Sequence, residues 1–312
     1  MLRRALLAAS ASSRLRQLIT TAPQTRAIVD SYVAGETADD AVQVTRTLRA
    51  AGLLVSLDYL GEDTKDPAQA AAVTEEYIQL LGKLAADGLT AGGGAEISVK
   101  PTAVGLFLGS RTAQENIGRI CAAARDAGTT VTLDAEEFGA IEPTLRIAAQ
   151  LRAGYPDLGC VIQSCLRRSE ADCRTLAGHG TRVRLCKGAY DEPESVAFRS
   201  RREVDASYAR CLRVLMRGSG YPMIATHDPR LIQITGSLAL LTGRSADSFE
   251  YQMLYGIRPA EQRRLANTGA KVRVYVPYGG DWYAYLVRRL AERPANLAFF
   301  LRSLRSDRQA AR

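Results

Sequence analysis

Eight short apolar runs recur along this chain, each followed by a longer segment of helical periodicity. That recurrence limits the folds open to it more than any other feature. The runs are 53–58 (LLVSLD), 96–100 (EISVK), 130–134 (TVTLD), 159–163 (GCVIQ), 182–186 (RVRLC), 223–226 (MIAT), 248–253 (SFEYQM) and 272–276 (VRVYV). Intervening segments such as 67–86 and 193–217 repeat apolar residues at helical spacing and are rich in good helix formers. Strands that alternate with helices return in parallel, so eight βα units in succession predict an α/β fold, a (β/α)8 barrel of the TIM type. At 312 residues and 46% hydrophobic content, the chain can bury the core of one such barrel. Residues 1–52 read as an N-terminal helical segment stopped by Arg49-Ala50-Ala51-Gly52, and 53–312 as the barrel, one domain overall.

The formal charge of +8 raises the question of a nucleic-acid or membrane partner. The excess gathers at the ends, in Arg3, Arg4, Arg14 and Arg16 and in Arg302, Arg305, Arg308 and Arg312. Aromatic residues are not interleaved with it as a base-stacking platform requires, so no nucleic-acid partner is expected. Weak peripheral attraction to anionic lipid is the more economical inference. The six cysteines form no C-x-x-C pair and no zinc spacing with the two histidines, so neither a metal nor a disulfide framework is expected. The opening Met1-Leu2-Arg3-Arg4-Ala5-Leu6-Leu7-Ala8-Ala9-Ser10 superficially looks like a targeting peptide, and its Arg- and Ser-rich character also fits a mitochondrial transit sequence. The basic amphipathic pattern runs on toward Ile28, and the reading adopted is a native helix of a bacterial cytoplasmic enzyme, peripheral at most to the inner face of the plasma membrane. No strand is followed by G-x-G-x-x-G or a Walker sequence, and Gly92-Gly93-Gly94 precedes its strand, where a turn suffices.

In a barrel, function gathers at the C-terminal ends of the strands. Strand one runs into Asp58-Tyr59-Leu60-Gly61-Glu62, strand two ends at Lys100, strand three at Asp134 and strand four at Gln163. Strand five carries Arg184 and runs into Lys187-Gly188-Ala189-Tyr190; strand six ends in Thr226-His227, and strand eight supplies Tyr275. Singly, a strand-end charge usually faces solvent and a lone histidine is usually structural. As a set they converge on one mouth, where charges must be balanced by one another or by a ligand.

The last strand leads into Pro277-Tyr278-Gly279-Gly280, and Asp281 can cap a following helix on which Tyr285, Arg288 and Arg289 share a face at i, i+3 and i+4. Two guanidiniums beside a phenol suit a small carboxylate, although solvated arginines on an amphipathic helix would show the same spacing. Strand, P-x-G turn and Y-x-x-R-R helix together resemble the C-terminal signature of the FAD-dependent, monofunctional bacterial proline dehydrogenases. Phe249 to Gly256 (FEYQMLYG) and Leu290-Ala291-Glu292 continue the likeness, as do Ser98-Val99-Lys100, Leu133-Asp134-Ala135-Glu136, Leu166 to Asp172, Val183 to Tyr190 and Ala225-Thr226-His227-Asp228.

The resemblance spans Leu53 to Phe300. It implies a distorted barrel with its last helix over the mouth, and oxidation of L-proline to Δ1-pyrroline-5-carboxylate with FAD as hydride acceptor. It further implies that Lys100, Arg288 and Arg289 grip the proline carboxylate, while Tyr190, Leu254, Tyr275 and Tyr285 shape the pocket. Glu62 would pair with Arg288 as a gate. FAD would be held by Ala135, Gln163, Arg184, Lys187, Gly188, Ala189, Thr226 and His227, with Arg184 at the flavin N5 edge. Asp134 and Arg184 are the residues assigned to catalysis, Asp134 as either proton acceptor or orienting group. Quinone or another acceptor would reoxidise the flavin. Departures from the pattern are Pro101 after the lysine, Ala135 in place of a bulkier residue, and Ser164-Cys165. Two rival readings are a lyase in which Lys100 or Lys187 forms a Schiff base, and a non-catalytic basic module.

Overall fold

A computed structural model describes residues 29–178, 180–283, 285 and 286. Eight parallel strands close into a barrel in sequence order: β1 (Leu54–Tyr59), β2 (Ala95–Val99), β3 (Val131–Leu133), β4 (Gly159–Gln163), β5 (Arg182–Cys186), β6 (Tyr221–Ala225), β7 (Glu250–Leu254) and β8 (Val272–Tyr278). Closure is through β1 and β8, which pair from Leu54 with Arg273 to Tyr59 with Tyr278. The helices are α1 (Ala38–Ala50), α2 (Pro67–Ala86), α3 (Ser110–Asp126), α4 (Phe138–Leu151), α5 (Ser169–Leu176), α6 (Arg201–Arg217), α7 (Pro229–Thr242) and α8 (Pro259–Asn267). This is the (β/α)8 barrel expected from the alternation.

Local chemistry explains where the helices begin. The Asp66 and Asp228 side chains accept from the backbone N–H two residues on, and Pro67 and Pro229 follow with φ already preset. Thr37 with Asp40, and Ser200 with Glu203, form reciprocal capping boxes for α1 and α6. The helix expected over 193–217 therefore starts only at Arg201. Residues 191–200 instead form a loop, with a turn at 194–196, that pairs beside the end of β4: Arg167 N–H donates to Val196 O at 2.9 Å, and Phe198 N–H to Cys165 O at 2.8 Å. Strand eight also extends two residues past Val276, because Pro277 and Tyr278 still pair with Asp58 and Tyr59. Gly92 and Gly93 lie in a short 3-10 turn before β2. Of the helical segment expected over 1–52, residues 1–28 lie outside the described residues; α1 itself packs Ala41 and Val42 into the main core.

That core is a ring between sheet and helices. Val55, Leu57, Ile97, Val99, Val131, Leu133, Ile162, Leu185 and Val274 face outward onto helix residues such as Leu80, Ile117, Tyr208 and Leu212. Period-2 alternation then turns the other face of each strand into the lumen, and that face is polar. Arg273 Nε lies 2.7 Å from Glu250 Oε1, and Arg182 Nη2 lies 2.6 Å from Glu96 Oε2. Arg273 Nη1 also donates to Val55 O at 2.9 Å; Arg273, Glu250 and Glu96 are nearly dry, and Arg182 is half-buried at the rim. Layers of branched aliphatics are the usual filling of such barrels. Here ion pairs replace them.

Candidate active site

The lumen charges rise toward the C-terminal end of the strands and end in a cluster around Arg184. Its guanidinium crosses the barrel: Nη1 lies 2.6 Å from Asp134 Oδ1 and 2.7 Å from Ser98 Oγ, Nη2 lies 3.1 Å from Ser56 Oγ, and Nε lies 2.5 Å from Gln252 Oε1. Four strands thus fix one fork of donors, which Lys could not reproduce. Asp134 also accepts from Ser98 Oγ at 2.9 Å and from the Tyr275 hydroxyl at 2.8 Å. Arg184 stands 5.3 Å from the centre of the Tyr275 ring, so cation, carboxylate and phenol form one block. Burial, with Asp134 and Asp58 nearby, holds the Tyr275 phenol far above its ordinary value, so it stays a donor.

Lys100 follows β2 and is buried. Its Nζ lies 2.6 Å from both oxygens of Asp58, at the end of β1. Burial alone would lower the ammonium, but Asp58, Asp134 and Glu62 outweigh that and raise it above its usual value. Asp134 is bonded to Arg184, so the carboxylate in direct contact with Lys100 is Asp58.

Around this block the other expected residues fall on neighbouring strand ends. Gln163 Nε2 donates to Glu136 O at 2.7 Å. Gly188, exposed and at φ +99°, sits so close to its neighbours that a Cβ there would collide with the Cys165 side chain and crowd that of Gln163. Ala189 beside it is exposed, and Tyr190 is half-buried. The Lys187 ammonium is held by Asp205 at 2.5 Å and Asp228 at 3.0 Å, which pins its loop to α6 and to the start of α7. Thr226 Oγ1 accepts from Asp228 N–H at 3.1 Å, and His227 Nε2 accepts from Leu254 N–H at 2.9 Å, so these two residues also brace the mouth. Ala135, Glu62 and Leu254 are half-buried and Tyr285 is buried; Arg288 and Arg289 lie outside the described residues. Sequence reasoning missed Ser98 and Gln252 as partners of Arg184 and Asp58 as partner of Lys100. Parity could have found the first two, since Ser98 lies two residues from Lys100 and Gln252 two from Leu254 on the same strand faces.

The model of the family described as proline dehydrogenase matches residues 41–302. The chain belongs to the proline dehydrogenase family. It is accordingly an oxidoreductase that acts on proline. It is 38% identical over 273 residues to proline dehydrogenase 1 of Bacillus subtilis, covering 88% of this chain and 89% of that protein. To proline dehydrogenase of Deinococcus radiodurans it is 36% identical over 282 residues, covering 89% and 90%. Among solved structures, proline utilization A of Bdellovibrio bacteriovorus superposes with a TM-score of 0.79 at 25% identity. That match covers 85% of this chain and 32% of the other, so this proline dehydrogenase chain spans about a third of it.

Proposed function

We propose that this chain oxidises L-proline to Δ1-pyrroline-5-carboxylate, the first step of proline breakdown, using FAD. The observation that carries this reading is the Arg184–Asp134–Tyr275 block beside Lys100 at the C-terminal mouth of a proline dehydrogenase barrel. Bound FAD supplies the hydride acceptor that no side chain offers. The mouth fits such a group: the Gly188 backbone is exposed and carries no side chain, and Gln163, Thr226 and His227 lie at the ends of the two strands that flank β5. Ala135, Gln163, Arg184, Thr226 and His227 would hold the cofactor with their side chains or strand ends, and Lys187, Gly188 and Ala189 with their backbone, since the Lys187 charge is already committed.

Proline would present its carboxylate to Lys100, Arg288 and Arg289, with Glu62 closing over Arg288. Tyr190, Leu254, Tyr275 and Tyr285 would pack around the ring. Asp134 already accepts three hydrogen bonds, which suits it to orient Arg184 and Tyr275 rather than to take the proline proton. Both lysines are engaged by carboxylates, Lys100 by Asp58 and Lys187 by Asp205 and Asp228, which argues against a Schiff-base lyase. The physiological acceptor would be a quinone. No helix of the described residues is long and apolar enough to cross a membrane. Contact with the inner face of a bacterial plasma membrane would then be peripheral, through the basic termini, and sedimentation with anionic vesicles tests it.

The deciding experiment is a visible spectrum of the purified protein before and after anaerobic addition of L-proline. Bleaching of a flavin band, much weakened in Arg288→Ala, is the expected result. A flavin that stays oxidised in proline would remove the substrate assignment, and a colourless protein that binds no added FAD would remove the cofactor.

A further inference from the structure

Asp58 stands outside the set of site residues expected from the sequence, yet it is the direct partner of one of them. Its side chain is 1% exposed against 11% for that of Lys100, so of the pair the lysine is the member that solvent reaches. We propose that Asp58 is a positioning residue for the substrate carboxylate: it keeps Lys100 protonated inside the mouth and aimed outward, so that the carboxylate binds without proton uptake. The proposal rests on the reading of Lys100 as part of the carboxylate clamp.

The physical argument is one of desolvation. An amine buried without an anion loses its proton near neutral pH, and documented cases titrate at about 5–6. A neutral amine holds a carboxylate poorly. An ammonium has three N–H bonds, and the Asp58 oxygens, both at 2.6 Å, occupy one side of it, which leaves an N–H direction for a second anion. The other groups facing Lys100 are otherwise engaged. Asp134 from β3 is paired with Arg184 of β5, and Glu136 is bound by Thr102. Glu62 lies on the half-exposed loop after β1; Tyr275 of β8 and Tyr77 of α2 stay neutral, each held well above the ordinary phenol range by burial. Among the described residues Asp58 is the carboxylate bonded directly to the ammonium, and Asp134 and Glu62 add to its field through space.

The test uses cyclopentanecarboxylate, which has the ring and carboxylate of proline but no nitrogen, as a competitive ligand of the holoenzyme. Its dissociation constant is measured from about pH 6.5 to about pH 9.5 in wild type, Asp58→Asn, Lys100→Met and the double variant Asp58→Asn/Lys100→Arg. Relative to wild type, Asp58→Asn should weaken by about tenfold per pH unit once Lys100 loses its proton, and the arginine of the double variant should abolish that slope. With proline as substrate, KM should carry the pH dependence while kcat changes by less than about threefold. A profile for Asp58→Asn parallel to wild type, at whatever level, overturns the proposal while a weakened Lys100→Met keeps the clamp. Lys100→Met binding as tightly as wild type overturns both. Should Asp58→Asn not fold, calorimetry of wild type at about pH 8 in two buffers of different ionisation heat decides: zero proton uptake is expected, and uptake overturns the proposal.

Discussion

Glu136 shows how a single buried carboxyl couples this site to pH. Thr102 donates to it from both hydroxyl and backbone N–H, the latter at 3.0 Å, and burial raises its pKa to about 7 despite those bonds. A carboxyl raised in the folded state adds stability below its unfolded value near 4.5, and that stability is lost as pH rises through 7. Glu136→Gln keeps the contacts without the charge, so its stability relative to wild type should rise by about 3 kcal/mol between pH 5 and pH 8 in urea unfolding. On the proposed reading, the Tyr275 hydroxyl, tied to Asp134, would crowd a substituent on the substrate ring. Tyr275→Phe should therefore narrow the preference for proline over 4-hydroxyproline by about tenfold in kcat/KM. Gly188→Ala places a methyl against Gln163 and Cys165 at a positive φ, which costs about 1–3 kcal/mol. The expected readout is lower flavin content after gel filtration with a modest fall in Tm.

At the scale of elements, the loops are tied down by charges that also begin helices. Asp228 caps α7 and grips Lys187 of the loop after β5. Asp228→Ala should cost about 1 kcal/mol as a lost cap and, through the freed loop, more in FAD affinity than in fold stability. Titration of the apoprotein with FAD, set against thermal unfolding, separates the two. Boundaries written by such side chains were legible in the sequence: α2 spans 67–86 because Asp66-Pro67 opens it and Asp87-Gly88 closes it. Where apolar residues merely recur at helical spacing, as over 193–200, the reading overran. Val196, Ala197 and Phe198 there belong to a loop that bridges to Leu166, and periodicity in a short run does not distinguish the two. Lys100, Asp134 and Tyr275 were legible because strand ends of a barrel share one mouth. Asp58 as the counter-ion was not, since which carboxylate meets which cation depends on strand stagger.

The molecule as a whole is organised around a lumen filled with charge. Arg182, Arg184 and Arg273 from two strands interlock with Glu96 and Glu250 from two others, and Gln252 joins that layer to the site through Glu250 Oε1 at 2.5 Å and Arg184. Arg273→Leu strips both glutamates of a partner in a dry interior and should cost about 3–5 kcal/mol in urea unfolding at neutral pH. The alternation of valine with arginine in β8 reads in sequence like a half-wetted strand, and only closure of the barrel makes its polar face an inside. Such an interior also responds to heat in its own way. The hydration that buried ions forgo becomes less favourable on warming, so the penalty for keeping them dry shrinks as temperature rises. A barrel filled with aliphatic layers gains nothing comparable, and this lumen is accordingly better suited to warmth than to cold.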